Sequence, residues 1–233
     1  MAKRNGSRTG ARTGGQILVD QLRINGCDRI FTVPGESFLA VLDALHGTGE
    51  IDVVTCRQEG GAAYMADADG KMTGRPGIAF VTRGPGATNA SGGVHVAFQD
   101  STPMILFVGD VARPERGREG FQEIDFPAFF APIAKWAARI DDARRIPEYV
   151  ARAWRVATAG RPGPVVLALP EDMLRDEVEA ADRPPVPPLA EEPDPGAIQA
   201  LFELLKESAA PVAIVGGADW SPRAAHHLSL IHI

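Results

Sequence analysis

The sequence is poor in cysteine and in aromatic residues. Among its 233 residues are two cysteines, Cys27 and Cys56, and 6% of the residues are aromatic. Each cysteine lies within an apolar segment, and neither has a second thiol or a histidine at the spacing of metal ligands. This scarcity excludes a cysteine-based metal site and favours two buried free thiols in a cytoplasmic protein.

Excess positive charge and long hydrophobic runs are also missing. Lysine and arginine number 24 against 30 acidic residues, a net charge of -6, with a pI near 5.4. Without a basic field, the chain has nothing to attract a phosphate backbone. The apolar run "MILFV" at residues 104–108 is far shorter than the roughly 20 residues that span a bilayer. We therefore expect neither a nucleic-acid partner nor a membrane span.

The first thirteen residues carry four basic side chains and neither an acid nor an apolar block. A secretory signal needs an apolar core, so this segment is not one. We expect a disordered leader over residues 1–13. A basic arm that binds an acidic partner is the alternative.

Behind the leader, apolar segments of two kinds alternate. Helical spacing, as in residues 16–26, is followed by short, uniformly apolar runs such as "RIFTV" at residues 29–33 and "PMILFVG" at 103–109. Such strands between helices are typical of a parallel sheet covered on both faces. Residues 14–178 are therefore predicted to be one α/β domain, a doubly wound parallel sheet with helices on both faces. The stretch that ends in "KWAARI", at residues 135–140, is less regular and receives no assignment.

A proline-rich segment, residues 179–195, favours extended chain and is predicted to be an interdomain linker. Beyond it, a helical pattern and the run "PVAIVGG" at residues 211–217 are typical of the first helix and strand of another α/β domain. Residues 196–227 are accordingly predicted to be the truncated start of a central domain. Residues 228–233 read like the translation of a sequencing-library adaptor, so we interpret them as a non-native tail of a truncated gene model.

Three segments fall at the carboxyl ends of predicted strands, where open parallel sheets bind their ligands. They are "FTVPGES" at residues 31–37, "CRQEGG" at 56–61 and "VTRGPGATNA" at 81–90. The first holds a tight turn at Pro34 and Gly35. The third is interpreted as a stiff loop with Gly84 and Gly86, capped by the following threonine and asparagine. Taken singly, each could also be an ordinary turn.

The middle segment places Glu59 directly after an apolar run, at the start of an alanine-rich helical pattern. An acid in a first helical turn commonly does no more than interact with the helix dipole, worth about 0.3 to 1 kcal/mol. Here, however, the residues at 60–63 are small, so no large side chain covers the carboxylate and room is left for a flat ligand. A partly shielded carboxyl group of this kind is suited to proton transfer.

Five long motifs follow one another in the first domain: "IFTVPGESFLAVLDAL", "RQEGGAAYMADADGKMTGRPGIAFVTRGPGATNA", "FQDSTPMILFVGDV", "GFQEID" and "GRPGPVVLALPEDML". In this order and spacing they resemble the N-terminal pyrimidine-binding domain of thiamine diphosphate-dependent enzymes, and most of all the acetolactate synthase group. The resemblance covers about residues 14–178. The linker and the segment after it resemble the start of that family's central domain.

The resemblance implies thiamine diphosphate as cofactor and a catalytic role for Glu59. In that family the matching acid binds the N1′ atom of the cofactor's aminopyrimidine and starts the proton transfer that makes the thiazolium carbon a nucleophile. This carbon attacks a 2-keto acid, which then loses carbon dioxide, with the cofactor as electron sink. The implied function is that of a carboligase or decarboxylase.

Other positions carry over from the same motifs. Those that match the pyrimidine pocket are Pro34, Gly35, Gly84 and Gly86. Phe121 and Gln122 match residues beside the substrate channel. A core aromatic and a surface amide are the alternative interpretations of these two residues.

The same resemblance implies partners. A small-molecule 2-keto acid is the expected substrate, and sites shared between two subunits imply a homodimer or homotetramer. Mg²⁺ and the diphosphate are expected on a separate C-terminal domain with a G-D-G sequence, which does not occur here. This chain alone is therefore expected to hold no metal and to be inactive. FAD in the central domain is compatible with the resemblance but is not inferred.

Two departures from the family pattern leave alternatives open. Gln58 stands where the family usually has histidine, and "ADADG" at residues 66–70 replaces "ADGYA". These differences favour a subgroup with divergent substrate use. Alternatively, the chain is the pyrimidine-binding subunit of a split enzyme, or a non-catalytic binding module on the same fold.

Overall fold

The computed structural model describes residues 10–187, 192–216 and 220–229. Helices and strands alternate along most of this chain. In chain order they are β1 (Arg12–Thr13), α1 (Gly14–Ile24), β2 (Arg29–Thr32), α2 (Leu39–His46), β3 (Asp52–Thr55), α3 (Glu59–Thr73), β4 (Gly77–Thr82), α4 (Arg83–Gln99), β5 (Met104–Asp110), α5 (Phe126–Phe130), β6 (Trp136–Arg139), α6 (Ile146–Thr158), β7 (Pro164–Pro170), β8 (Glu177–Val178), α7 (Pro195–Glu207) and α8 (Pro222–Ser229).

Six strands form one parallel sheet in the order β3-β2-β4-β5-β7-β6. The chain adds β3 on one side of β2 and then crosses to the other side with β4. The direction of winding therefore changes between β2 and β4. The strands β4, β5 and β7 are buried almost throughout, which agrees with their uniformly apolar sequences. The predicted doubly wound parallel α/β sheet is confirmed.

Helices cover both faces of the sheet. On one face α1, α2 and α6 pack against side chains such as Phe80 and Phe107, whose rings stack at 4.7 Å. On the other face α3, α4 and α5 pack against the alternate residues of the same strands, among them Ala79 and Val81. This division follows from the strand period of two, which points successive side chains to opposite faces.

The helices α3 and α4 approach each other closely because small residues line their contact. A Cβ atom on Gly93 of α4 would lie 2.5 Å from the Cβ atom of Ala63 on α3. A Cβ atom on Gly60 would lie 3.1 Å from the backbone oxygen of Asn89. The absence of side chains at the two glycines brings the first turn of α3, with Glu59, against the second turn of α4.

Two elements occupy the stretch that the sequence pattern left unassigned. The helix α5 begins after Asp125, whose side chain accepts a hydrogen bond from the Ala128 N–H group at 3.1 Å. The strand β6 pairs with β7 at the edge of the sheet, and all of its residues are partly exposed. An edge strand needs no uniformly apolar sequence, so the pattern in "KWAARI" did not reveal it.

The expected disordered leader is wrong for its last two residues. Arg12 and Thr13 form β1, which pairs antiparallel with β8. The Arg12 side chain is buried and forms ion pairs with Asp20 at 2.7 Å and Asp182 at 2.8 Å. Burial of an arginine requires such partners, which fix this part of the chain. Residues 1–9 lie outside the described residues.

Residues 179–187 of the expected linker have no regular structure. They are nevertheless attached to the domain, because the Val186 N–H group donates a hydrogen bond to the Asn25 side chain at 3.0 Å and Asp182 pairs with Arg12. Residues 188–191 lie outside the described part of the chain. The boundaries of the linker and of the domains remain predictions.

Beyond the linker, α7 lies where a helix was predicted, and the Asp194 side chain accepts hydrogen bonds from its first N–H groups. Residues 211–216 form no strand, so the strand predicted at "PVAIVGG" is wrong over these residues, and Gly217 is not described. A parallel strand needs neighbouring strands to pair its backbone groups. The helix α8 extends to Ser229, into the expected non-native tail, whose residues 230–233 are not described.

Within the described ranges, no helix combines the length and the apolar character that a membrane span requires. No group of three or more His, Cys, Asp or Glu side chains in these ranges could hold a metal ion. Both cysteines are free, but only Cys56 is buried, whereas Cys27 is partly exposed. The expectation of two buried thiols is therefore wrong for Cys27.

Candidate active site

The three segments predicted to form a site meet at the carboxyl edge of the sheet. Pro34 and Gly35 follow β2, Glu59 begins α3 after β3, and Arg83 begins α4 directly after β4. The strands β2 and β4 are those between which the winding direction changes. In doubly wound sheets a crevice opens at this switch point, and ligands bind there.

Glu59 is the first residue of α3, and α4 holds one of its carboxylate oxygens. The side-chain amide of Asn89 donates a hydrogen bond to Glu59 Oε2 at 2.9 Å. The Glu59 side chain is partly exposed and, within the described ranges, takes part in no ion pair. Oε2 is therefore held in place while Oε1 remains available to a ligand.

Gln58 caps the helix that carries Glu59. Its side-chain oxygen accepts a hydrogen bond from the Gly61 N–H group at 2.9 Å. This bond satisfies one of the N–H groups that the first turn of a helix leaves unpaired. The glutamine that departs from the family pattern thus has a structural role in this chain.

The first turn of α4 leaves space beside Glu59. Gly86 is buried, and a Cβ atom placed on it would lie 3.7 Å from Glu59 Cγ and 3.3 Å from Val81 Cβ. A larger side chain at this position would overlap sterically with Glu59. Gly86 therefore borders the Glu59 side chain.

Gly35 and Gly84 permit close backbone approach. A Cβ atom on Gly35 would collide with the Thr82 side chain, and one on Gly84 would lie 2.7 Å from the backbone oxygen of Gln122. Pro34 is exposed at the same edge. These residues bring the turn after β2 and the segment with Gln122 onto the start of α4, which shapes the crevice.

The interpretation of residues 83–87 as a loop is wrong, because α4 begins at Arg83. The N-cap is Thr82, which makes no side-chain capping hydrogen bond. Thr88 and Asn89, the expected caps, lie inside the helix, where the Thr88 hydroxyl donates back to carbonyls of the preceding turn. Proline is tolerated in this first turn because the N–H groups there have no partner within the helix.

Phe121 and Gln122 lie between β5 and α5, on a segment that contacts the start of α4. The Gly84 N–H group donates a hydrogen bond to the Gln122 carbonyl at 2.9 Å. Phe121 is 69% exposed, so the alternative of a core aromatic is wrong. Both residues therefore lie at the edge of the sheet that also carries Glu59.

Two residues at this edge, Arg83 and Asn89, were not predicted as site residues in their own right, since Asn89 was interpreted as a helix cap. Arg83 is buried and pairs with Glu36 at 3.0 Å and Glu171 at 2.9 Å. The signal for Arg83 in the sequence was its position as a charged residue between an apolar strand and two glycines. A charge at such a buried position requires partners of opposite charge. No comparable signal marked Asn89, since its partner Glu59 is distant in the sequence.

A protein-family model matches the part of the chain that carries this site. The family model "Thiamine pyrophosphate enzyme, N-terminal TPP binding domain" matches residues 12–129. The chain belongs to the thiamine pyrophosphate enzyme family. The matched residues include β2, β3 and β4 together with the site residues that follow each of them. They form a thiamine pyrophosphate-binding domain, and the predicted family is confirmed.

Curated relatives within this family are acetolactate synthases. The chain is 34% identical over 216 residues to acetolactate synthase of Bacillus subtilis (strain 168), covering 91% of this chain and 37% of that protein. It is 40% identical over 162 residues to acetolactate synthase isozyme 3 large subunit of Escherichia coli (strain K12), covering 70% and 28%. It is 37% identical over 161 residues to the mitochondrial acetolactate synthase catalytic subunit of Saccharomyces cerevisiae, covering 69% and 23%. The chain therefore spans at most 37% of the length of these three relatives.

Proposed function

We propose that this chain forms the aminopyrimidine-binding part of a thiamine diphosphate-dependent enzyme that acts on 2-keto acids, as the acetolactate synthases to which it is similar suggest. The proposed reaction is decarboxylation or carboligation, with Glu59 as the activating acid. The observation that carries the proposal is the Glu59 carboxylate at the switch point of the sheet, held through one oxygen by Asn89.

The residues around Glu59 fit a flat, polar ring. An aminopyrimidine carries ring nitrogens and an amino group in one plane. The carboxylate offers Oε1 to such an edge, because Oε2 is occupied by Asn89. Gly86 adds no side chain beside the carboxylate. A planar ligand can therefore reach Glu59 without displacing a side chain at this position.

The chemistry is divided between the cofactor and the protein. When bound, the cofactor supplies an electron sink for cleavage of the bond between the keto carbon and its carboxylate. Glu59 would bind the aminopyrimidine through Oε1 and would hold or release a proton there, acting as a general acid and base. Asn89 keeps the carboxylate in one orientation, which favours this transfer. Phe121 and Gln122 border the approach of the substrate.

A second subunit completes the site in this proposal. Glu59 is partly exposed, and Tyr64 and Met65 on the same helix are 50% and 46% exposed. Proton transfer benefits from the exclusion of water, which a covering subunit would provide. We therefore propose a homodimer or homotetramer, in which a separate domain with a G-D-G sequence binds Mg²⁺ and the diphosphate. The chain alone is expected to be inactive.

Turnover of 2-keto acids by the intact protein that carries this chain tests the proposal. With thiamine diphosphate and Mg²⁺ present, we expect release of carbon dioxide from at least one member of a panel of 2-keto acids. Glu59→Gln is expected to lower kcat by about 10² to 10⁴-fold, with little change in circular dichroism. Glu148→Gln, in the first turn of α6 on the other face of the sheet, is the matched control and should retain activity.

Each contrary outcome favours a different conclusion. Unchanged turnover in Glu59→Gln would contradict the role of Glu59. Cofactor binding without turnover of any 2-keto acid would favour the non-catalytic binding module. An obligate separate chain with the G-D-G sequence would favour the split enzyme.

A further inference from the structure

Arg83 is a buried cation with an unusual backbone conformation. Its φ is 46°, in the left-handed region that residues other than glycine rarely adopt. The residue is only 8% exposed. Backbone strain of this kind persists where surrounding contacts enforce it, and it is frequent at functional sites. The contacts of Arg83 therefore indicate what the strained conformation maintains.

The Arg83 guanidinium joins the ends of three strands. Nη1 donates a hydrogen bond to Glu36 at 3.0 Å, and Nη2 donates one to Glu171 at 2.9 Å. Glu36 follows the turn after β2, Arg83 itself follows β4, and Glu171 follows β7. Because β5 lies between β4 and β7 in the sheet, one side chain links the carboxyl ends of strands that are not all neighbours.

The same guanidinium lies against the segment that carries Phe121. The Arg83 Cζ atom is 5.6 Å from the centre of the Phe121 ring, within the range of a cation–π contact. Next to it, the Gly84 N–H group donates to the Gln122 carbonyl at 2.9 Å. Gln122 also has a positive φ, 63°. Each of the two segments joined by this hydrogen bond therefore contains a residue with a left-handed backbone, Arg83 in one and Gln122 in the other.

Carboxylates of the protein itself already neutralise the guanidinium. Both terminal nitrogens are engaged, and Nε is buried without a hydrogen-bond partner among the described residues. Glu36 and Glu171 balance the charge of Arg83, and Glu171 also pairs with Arg175 at 4.0 Å. An arginine in this arrangement uses its planar fork to orient its neighbours.

We propose that Arg83 is a positioning residue, which holds the segment with Phe121 and Gln122 against the first turn of α4 and thereby shapes the approach to Glu59. The consequence for substrate binding rests on the proposed function. Without the guanidinium, Phe121 loses its cationic partner and the segment is held by fewer contacts. Binding of the 2-keto acid then weakens, while proton transfer at Glu59 is retained.

Amide exchange at Gly84 tests the positioning directly. This N–H group lies in the first turn of α4, where it has no acceptor within the helix, and the Gln122 carbonyl is its acceptor. In the 233-residue chain, Arg83→Met is expected to speed the exchange of Gly84, followed by NMR, by about tenfold.

Arg12→Met is the matched control for this experiment. Arg12 is a similarly buried arginine with two carboxylate partners, but these belong to α1 and to the segment after β8. Its replacement is expected to lower the melting temperature and to leave the exchange of Gly84 unchanged. Equal effects of Arg83→Met and Arg12→Met on Gly84 would overturn the proposal.

A second variant keeps the test decisive if Arg83→Met does not fold. Phe121→Ala removes an exposed ring, so the folded core should remain intact. It is expected to speed the exchange of Gly84 by about threefold, since it removes the cation–π contact alone. An unchanged exchange rate in Phe121→Ala, where Arg83→Met cannot be measured, would overturn the proposal.

Kinetics of the intact enzyme separate positioning from a general loss of stability. Arg83→Met is expected to raise KM for the 2-keto acid by about fivefold and to change kcat by less than about twofold. Arg83→Lys keeps the charge without the planar fork and should fall between the wild type and Arg83→Met. A lower kcat with unchanged KM would overturn the proposal. No turnover in the wild type would refute the proposed function instead, and the exchange of Gly84 would still decide the role of Arg83.

Discussion

Asn89 lies 30 positions after Glu59 in the sequence, and its side-chain amide fixes one oxygen of the Glu59 carboxylate. The contact exists because Gly60 and Gly93 let α3 and α4 come close together. Catalytic groups lose efficiency when their orientation is not maintained. The function of the carboxylate is therefore expected to depend on an exposed residue that contributes little to the core.

Replacement of Asn89 by alanine is expected to lower kcat about tenfold, the equivalent of about 1.4 kcal/mol, because Glu59 loses the bond that holds Oε2. Asn89 is exposed, so the melting temperature should change little. Steady-state kinetics of the intact protein measure the effect. Ser91→Ala on the same helix is the control, since the Ser91 hydroxyl donates only to the Thr88 carbonyl. Wild-type kcat in Asn89→Ala would show that the bond is dispensable.

Asp110 places a buried carboxylate at the end of β5. Arg139 Nε donates to Asp110 Oδ2 at 2.6 Å, and the Val111 N–H group donates to Oδ1 at 2.8 Å. Burial raises the pKa of Asp110, although the hydrogen bond from Arg139 opposes the shift. A carboxyl group whose folded-state pKa is raised stabilises the fold most below its unfolded-state pKa. This contribution is lost as the pH rises through the folded-state pKa.

Arg139→Met is expected to lower the free energy of unfolding by about 3 kcal/mol at pH 7, because it leaves the Asp110 charge buried without a partner. The loss should shrink as the pH falls through the raised folded-state pKa of Asp110, because the protonated carboxyl group no longer needs a charged partner. Urea denaturation at several pH values measures both effects.

The double variant Asp110→Asn with Arg139→Met is the control for the buried ion pair. It removes the buried charge together with its partner and should recover part of the stability at pH 7. A loss in Arg139→Met that does not vary with pH would contradict the assignment of the effect to Asp110.

Among the elements, α3 and α4 set the distance between Glu59 and the first two turns of α4. Gly93→Ala would place a Cβ atom 2.5 Å from the Cβ atom of Ala63 and 2.8 Å from its backbone carbon, so the helices must separate. We expect a loss of about 1 to 3 kcal/mol in the free energy of unfolding, the usual range for overpacking. Thermal or urea denaturation of the chain measures it.

Gly92→Ala is the matched control on the same helix. The nearest group to its added Cβ atom would be the end of the Tyr64 side chain, at 3.3 Å, which can move aside. Alanine favours a helix over glycine by about 1 kcal/mol. This variant should therefore be at least as stable as the wild type. Equal destabilisation by the two substitutions would contradict the close approach of the helices.

Elements with strong periodicity could be predicted from the sequence, whereas β6 and the first turn of α4 could not. The partial exposure of β6 removes the uniformly apolar signal of a central strand. Glycines on both sides of Pro85 are locally typical of a loop. They are helical here, with Gly84 and Gly86 packed against Gln122 and Val81, which lie elsewhere in the chain.

At the scale of the whole molecule, the sheet and the family could be inferred from the sequence. Alternating apolar strands and helices, and the order of long motifs, are properties of the chain itself. The pairing of side chains at the site, in contrast, cannot be inferred from the sequence alone. Arg83 and Glu171 are 88 positions apart, and Arg12 and Asp182 are 170 apart. The linear pattern does not determine which charges meet once the sheet forms, so Arg83 was missed and Arg12 was assigned to a disordered leader.

We propose that the activity belongs to an assembly larger than this chain. The chain spans at most 37% of the length of the three relatives compared above, and the carboxyl edge of its sheet leaves Glu59 partly exposed. In this proposal, a partner subunit shields the carboxylate from water. Measurements of proton transfer therefore require the intact protein with its cofactor.

The central claim is that Glu59 shares a proton with the aminopyrimidine of bound thiamine diphosphate. Exchange of the thiazolium C2 proton with deuterium, followed by NMR on the intact protein with bound cofactor, measures this activation without a substrate. Glu59→Gln is expected to slow the exchange by at least about a hundredfold, whereas Glu148→Gln should keep the wild-type rate. Equal exchange rates in the wild type and Glu59→Gln would contradict the account.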